Sequence, residues 1–103
     1  MSVFDVIEFR VAGMEQAYAA IHAVCDRVRG YIDCWAHALV VAGAVDALLE
    51  LGLSSWDVRA TEVLIAEAGG ECRLRASHLG GKVDLLCGSP VLVNWIAELV
   101  GFG

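Results

Sequence analysis

The sequence predicts an α/β domain in which helices pack on a single β-sheet. Four strand-like segments, at 3–11, 45–49, 71–74 and 83–88, alternate with segments whose apolar residues recur at helical spacing. Glycine and serine residues separate these segments, as is typical of turns and helix ends. Strands and helices that alternate along a chain pack as layers, which gives the predicted fold class.

The first predicted strand covers residues 3–11, where apolar and polar side chains alternate. Its apolar face carries Val3, Ile7, Phe9 and Val11, with Asp5 as an interruption. A helix is predicted after Gly13, because the apolar residues that follow have the helical repeat. Its apolar stripe consists of Met14, Ala17, Tyr18, Ile21, Val24, Cys25 and Val28.

The next predicted helix begins at Asp33, continues through Val41 and ends at Gly43. An aspartate at this position accepts hydrogen bonds from the first backbone N–H groups of a helix. A glycine suits the helix end because it adopts a positive φ without steric cost.

The central segment predicts a strand, a turn and a long helix. The strand at 45–49 ends at Glu50, and two serines precede the helix. Ser54 is the predicted N-cap, and Asp57 is placed to complete a capping box. The buried face of the helix carries Val58, Thr61, Leu64, Ile65 and Ala68. Gly69 ends the helix by adopting a left-handed conformation.

The C-terminal third predicts two short strands and a last helix. The strands at 71–74 and 83–88 flank a turn at 77–82. A Gly-Gly-Lys in this turn lacks the spacing and the following Ser or Thr of a phosphate-binding loop, so it is predicted to be a turn only. Ser89 caps the helix, and Pro90 occupies its first position. The apolar side of the helix carries Val91, Leu92, Trp95, Ile96, Leu99 and Val100.

The composition predicts one cytoplasmic domain that spans residues 1–103. Hydrophobic residues make up 58% of the chain and the mean hydropathy is +0.65, but no apolar run reaches the roughly 18 residues of a membrane helix. Early charged residues do not match a signal peptide. A net charge of −6, with scattered basic residues, argues against a nucleic-acid partner.

The cysteines are predicted to be buried thiols and not a disulfide framework, since none has Cys-x-x-Cys spacing. They are Cys25, Cys34, Cys72 and Cys87. Two pairs, His22-x-x-Cys25 and Cys34-x-x-His37, have the spacing of zinc ligands. Because Cys25 lies on the predicted buried stripe and the intervening residues are unlike a zinc finger, we do not expect structural zinc.

The central helix carries a long motif that consists of Trp56-Asp57-Val58, Ala60, Leu64-Ile65 and Glu67-Ala68-Gly69-Gly70. This motif resembles the C-terminal signature of the inositol monophosphatase family, and within that family the histidinol-phosphate phosphatase type. The resemblance implies the C-terminal domain of a magnesium-dependent phosphomonoesterase. It also implies a mixed sheet of about five strands in an α-β-α sandwich.

The resemblance implies three site residues. Asp57 corresponds to a magnesium ligand at a helix N-terminus, where an ionised carboxylate is favoured. Glu50 corresponds to a position that contacts a substrate hydroxyl in some members. Asp33 lies in a segment at 29–35 that resembles a loop lining the substrate pocket, although Ile32 replaces the usual glycine. The residues alone also allow simpler roles: a capping acid, a solvated acid at a strand end and a helix N-cap, respectively.

The family's N-terminal motifs, an early glutamate motif and an Asp-Pro-Ile/Leu-Asp-Gly-Thr segment, are absent from the sequence. Metal-assisted phosphoryl transfer needs two or more ions held by several carboxylates, whereas one aspartate holds Mg²⁺ weakly. We therefore expect a domain that is inactive alone and acts as a binding or assembly module. One alternative is half of a split phosphatase, completed by a partner chain with the missing motifs. Another is a structural relic without a ligand.

A homo-oligomer, most simply a dimer, is also expected. Only 19% of the residues are charged, and exposed apolar surface favours association. The contact is predicted around Trp35, Leu39 and the strand at 45–49. The first strand is a second candidate, since a free sheet edge can pair with another chain.

Overall fold

The computed structural model describes residues 1–3, 6–25, 27–30 and 33–102, with side chains except at residues 6, 7, 33 and 34. The elements are β1 (Ser2–Val3), α1 (Val6–Val11), α2 (Glu15–Val24), α3 (Asp33–Val41), β2 (Ala47–Leu53), α4 (Ser55–Glu67), β3 (Glu71–Ala76), β4 (Val83–Gly88) and α5 (Pro90–Val100).

The strands form a single mixed sheet in the order β1-β2-β4-β3. β1 is parallel to β2, while β2–β4 and β3–β4 are antiparallel. The predicted class, one mixed sheet flanked by helices, is confirmed. The described residues form four strands in this sheet, compared with the five or so that the resemblance implies.

Each face of the sheet carries its own apolar core, because successive residues of a strand point to opposite faces. Leu49 and Leu86 pack with residues of α2 and α5 on one face. Leu48 and Leu85 pack with residues of α3 and α4 on the other. The sheet therefore lies between two helical layers, as in an α-β-α sandwich.

The prediction of a strand over residues 3–11 is wrong, because in the described part of this range the strand ends at Val3 and Val6–Val11 is helical. The alternating pattern would have placed Phe9 and Val11 on one buried face. In the helix Phe9 is fully buried and contacts the Tyr18 ring edge-on at 5.2 Å between centroids, while Val11 is 67% exposed. Packing of α1 on α2 overrides the two-residue alternation, as tertiary context often does for short segments.

Two segments that the sequence suggested for association do not form free sheet edges. β2 lies inside the sheet, between β1 and β4, so the strand at 45–49 has no edge to offer another chain. The outer edge of β1 is covered as well. Val3 N–H donates to Arg29 O at 3.1 Å, and Arg29 N–H donates to Met1 O at 3.2 Å.

β2 continues past its predicted end at residue 49 and runs to Leu53 through a β-bulge. Leu51 and Gly52 together face one residue, Asp84, on β4. Gly52 has a φ of +72°, and its N–H donates to Asp84 Oδ1 at 3.0 Å. A glycine in a left-handed conformation is typical of such bulges, which bend the strand locally. The bend directs the chain from the sheet toward α4.

The helical ends follow the predictions, whereas some buried faces differ. Gly69 and Gly101 both have positive φ at the predicted helix ends. On α4 the buried residues are Val58, Thr61 and Ile65, while Leu64 is exposed. On α5 the buried residues are Val93, Ile96 and Ala97, while Val91, Trp95 and Leu99 are exposed. Apolar residues surround α5 on nearly every side, so their spacing in the sequence does not predict which face is buried.

None of the helices in the described part of the chain has the length and apolar composition needed to cross a membrane.

Candidate functional site

The passage from β2 to α4 carries the two acids that the resemblance points to, and their environments differ. Glu50 lies on β2 just before the bulge and is buried, with 7% of its surface exposed. Asp57 lies in the first turn of α4 and is exposed. Only Asp57 is therefore directly available to a ligand in solvent.

Asp57 does not complete the predicted capping box. Ser54 is the N-cap residue of α4, but its side chain makes no capping hydrogen bond to the described start of the helix. The Lys82 ammonium group donates to Ser54 Oγ at 2.7 Å instead. A charge-assisted bond of this kind competes well with a neutral cap. Asp57 is joined to the cap only through its backbone, whose N–H donates to Ser54 O at 3.0 Å.

Glu50 is part of a buried polar contact between three elements. It points to the same face of β2 as Leu48, toward α3 and α4. His37 Nε2 on α3 lies 3.3 Å from Glu50 Oε1, and His37 Nδ1 lies 2.6 Å from Thr61 Oγ1 on α4. The interpretation of Glu50 as a solvated acid at a strand end is therefore wrong. His37 lies against the carboxylate that the resemblance assigns to substrate binding.

A cavity of about 680 Å³ between α3 and α4 brings part of this contact together with Asp57. Asp57, His37 and Thr61 line it, and Leu53 and Leu64 supply apolar surface. Glu50 is connected to the cavity through His37. The structure thus places a carboxylate, an imidazole and a hydroxyl around one concave surface, which is the usual form of a small-molecule site.

Asp33 is the first residue of α3, as predicted. Its side chain, that of Cys34 and the whole of Ile32 lie outside the described residues, so neither the capping role nor the pocket role of Asp33 is tested. Sequence reasoning missed the pairing of His37 with Glu50. The sequence suggested a zinc-ligand role for His37. Its contacts with Glu50 and Thr61 join residues far apart in the chain, so no short motif predicts them.

Among the described side chains that line the cavity, one carboxylate is available to Mg²⁺, that of Asp57. No group of three or more His, Cys, Asp or Glu residues in the described ranges is arranged to hold a metal ion. Of the histidines weighed for zinc, His22 packs against the Tyr18 ring at 4.4 Å, and His37 contacts Thr61 and Glu50. Mg²⁺ prefers several oxygen ligands in octahedral geometry, so Asp57 fits as one ligand of an incomplete set.

Two curated relatives resemble this chain across most of its length. An inositol monophosphatase from Dictyostelium discoideum is 39% identical over 71 residues, which is 64% of this chain and 25% of the relative. A histidinol-phosphatase from Mycobacterium tuberculosis is 34% identical over 82 residues, which is 80% of this chain and 30% of the relative. The chain is a homologue of the inositol monophosphatases. The family resemblance predicted from the Trp56-Asp57 motif is confirmed.

The fold agrees with this homology. The crystal structure of the extragenic suppressor protein SuhB from Bartonella henselae matches 99% of this chain with a TM-score of 0.79, at 18% identity. This chain covers 40% of that structure. No family model matches the sequence. The chain spans 25–30% of the length of these two curated relatives.

Proposed function

We propose that this domain is a binding or assembly module derived from a magnesium-dependent phosphomonoesterase and that it does not hydrolyse phosphate esters by itself. The observation that carries the proposal is the contact between His37 and Glu50. The resemblance assigns a substrate hydroxyl to the Glu50 carboxylate, and here that carboxylate is buried 3.3 Å from an imidazole. A carboxylate that is buried beside an imidazole is not exposed to a substrate in solvent.

The donor set supports the same proposal. Hydrolysis of a phosphomonoester by the two-metal route needs ions clamped between several carboxylates, which also orient the attacking water. Asp57 supplies one such carboxylate, in the first turn of α4. With one protein ligand, Mg²⁺ keeps most of its waters and binds weakly.

The test is an assay of phosphate release by the 103-residue chain with Mg²⁺. Inositol phosphate and histidinol phosphate are the substrates, and Asp57→Asn is the matched control. We expect the same background release from the chain and from Asp57→Asn. Turnover that exceeds the background and disappears in Asp57→Asn would contradict the proposal.

The alternative proposal is a split phosphatase, in which a second polypeptide supplies the missing metal-binding motifs. The observation that favours it is apolar surface beside the cavity. Trp56 and Leu64 on α4 and Trp35 on α3 are all more than half exposed. A partner that covers this surface would also bring carboxylates close to Asp57. Activity that appears only when a polypeptide with the Asp-Pro-Ile/Leu-Asp-Gly-Thr segment is added, and is lost in Asp57→Asn, would favour this alternative.

A further inference from the structure

Two cysteines face each other across neighbouring strands of the sheet. Cys72 on β3 is the register partner of Cys87 on β4, so both side chains project to the same face. That face is the one that α3 and α4 cover. Both residues are free thiols. Directly opposed residues of an antiparallel pair have Cα atoms about 4.5–5.5 Å apart, within the range of about 4.4–6.8 Å that a disulfide spans.

The two thiols differ in exposure and in acidity. Cys87 is fully buried, whereas Cys72 is half-buried on β3, which lies at an edge of the four-stranded sheet. A hydrogen bond from the Cys87 S–H group lowers the pKa of Cys72, against the opposing effects of burial and of the Glu62 and Glu71 carboxylates. The same hydrogen bond, together with burial, raises the pKa of Cys87. The less buried cysteine is thus the more acidic one, and the thiolate is the reactive form of a cysteine.

We propose that Cys72 and Cys87 form an oxidation site for hydroperoxides, in which Cys72 reacts first and Cys87 resolves the product as a disulfide between β3 and β4. The site does not include Asp57 or Glu50, although Cys87 lies on the same face of the sheet as Glu50. A lone buried cysteine would be inert, whereas this pair combines a reachable sulfur with a second sulfur directly opposite it.

The chemistry balances with a hydroperoxide as the only oxidant. The Cys72 thiolate attacks one oxygen, the O–O bond breaks, and the alkoxide or hydroxide that leaves takes a proton from water. Cys72 is then a sulfenic acid. The Cys87 sulfur attacks the Cys72 sulfur, the S–S bond forms, the S–O bond breaks, and the departing hydroxide leaves as water with the Cys87 proton. Two electrons pass from the two thiols to the peroxide.

The disulfide would fasten an edge strand to the interior of the sheet. β3 is bonded to β4 alone among the described strands, and α4 packs over both. A covalent link at positions 72 and 87 would close the hairpin that contains the turn at 77–82. We therefore expect oxidation to raise the melting temperature and to slow hydrogen exchange in β3.

Mapping with trypsin tests the proposal without a variant. Cleavage after Arg and Lys puts the four cysteines on separate peptides, at 11–27, 30–59, 60–73 and 83–103. The reduced chain is treated with hydrogen peroxide, alkylated and digested. We expect the peptides 60–73 and 83–103 to appear joined, lighter by two hydrogen atoms than their sum, and to separate again with dithiothreitol. In the folded, reduced chain we expect iodoacetamide to modify Cys72 about tenfold faster than Cys87.

Two variants sharpen the result. Cys25→Ser, the matched control, should form the same linked peptides at the wild-type rate. Cys87→Ser should leave Cys72 without a resolving thiol, so that Cys72 is trapped by a sulfenic-acid reagent or proceeds to sulfinic acid. Linkages that involve Cys25 or Cys34, overoxidation of Cys72 in the wild type, or a reduced Cys72 under conditions that oxidise Cys25 would each overturn the proposal.

Discussion

Glu50 Oε1 lies 3.3 Å from His37 Nε2, and both side chains are more than nine-tenths buried. The contact ties β2 to α3, and His37 in turn contacts Thr61 on α4. Among the described residues, neither His37 Nε2 nor Glu50 Oε1 completes a hydrogen bond of normal geometry. The two polar atoms therefore face each other within contact distance, in a place that shields both from solvent.

The first prediction concerns the interdependence of this pair. Glu50→Leu and His37→Leu should each lower the free energy of unfolding by about 1–3 kcal/mol, because each leaves a buried polar group without its partner. The double variant should cost less than the sum of the two, because it leaves neither group behind. Urea denaturation of the four proteins measures the coupling.

Glu67→Leu, at the exposed end of α4, is the control and should change stability by less than about 0.5 kcal/mol. Strict additivity of the two single substitutions would show that the pair contributes no interaction energy. In that case the argument that His37 engages Glu50 would fail as well.

The second prediction concerns Asp57 and magnesium. Since its side chain forms no capping box, Asp57 should stabilise α4 only through the helix dipole. Asp57→Ala should therefore cost about 0.3–1 kcal/mol, and the cost should be the same with and without Mg²⁺. Thermal unfolding with Mg²⁺ and with a chelator measures both quantities.

The matched control is Glu67→Ala, which removes an acid from the opposite end of the same helix. Its effect on stability should be zero or favourable, because a negative charge near a helix C-terminus is unfavourable. A melting temperature that rises with Mg²⁺ in the wild type and not in Asp57→Ala would instead demonstrate a working metal site.

The third prediction concerns Gly88, where β4 passes closest to the chain before β2. A Cβ at this position would overlap Asp46 O and lie 2.8 Å from Ala47 Cα, and the φ is +143°. Gly88→Ala should lower the free energy of unfolding by about 3 kcal/mol or more, through backbone strain and overpacking combined. Gly80→Ala is the control, because a Cβ there meets nothing within 4 Å. Equal stability of the two variants in urea would show that the backbone moves apart without cost.

Local signals predicted much of the fold. The bounds of β4 and α3 follow from residues that begin and end elements, such as Asp33, Pro90 and the glycines with positive φ. The alternation of apolar and polar residues over 3–11 led to the wrong prediction of a strand. A short pattern of this kind fits a strand as well as a helix until its packing partner is known. The bulge at Gly52 was missed for a similar reason. Its cause is Asp84, which lies on another strand 32 residues away.

The sequence also predicts some features of the candidate site and not others. The position of Asp57 in the first turn of a helix was predictable, because Ser54 and the residues that follow it specify that turn. The burial of Glu50 was not, since it depends on how α3 and α4 pack over β2. Lys82 donates a hydrogen bond to the Ser54 hydroxyl, but it lies in the turn after β3. No residue near position 54 predicts this contact.

The fourth prediction is that the chain forms a homodimer through the exposed side of α3 and α4. Because β2 is internal and the edge of β1 is covered, the remaining surface for a contact between two copies of the chain lies on the helices. Trp56 is 76% exposed, Trp35 61% and Leu64 52%. Exposed apolar side chains of this size favour association, and two-fold symmetry is the commonest way to cover them.

Sedimentation equilibrium tests this directly, and we expect a mass of about twice 11.0 kDa at tens of micromolar. Leu64→Lys should shift the equilibrium toward the monomer, because a charge would be buried in the contact. Val91→Lys is the matched control, since Val91 is just as apolar and exposed but lies on α5, whose buried residues pack in the core on the other face of the sheet. It should leave the dimer intact. A single 11.0 kDa species for the wild type, or equal weakening by both lysines, would show that α3 and α4 do not form the contact.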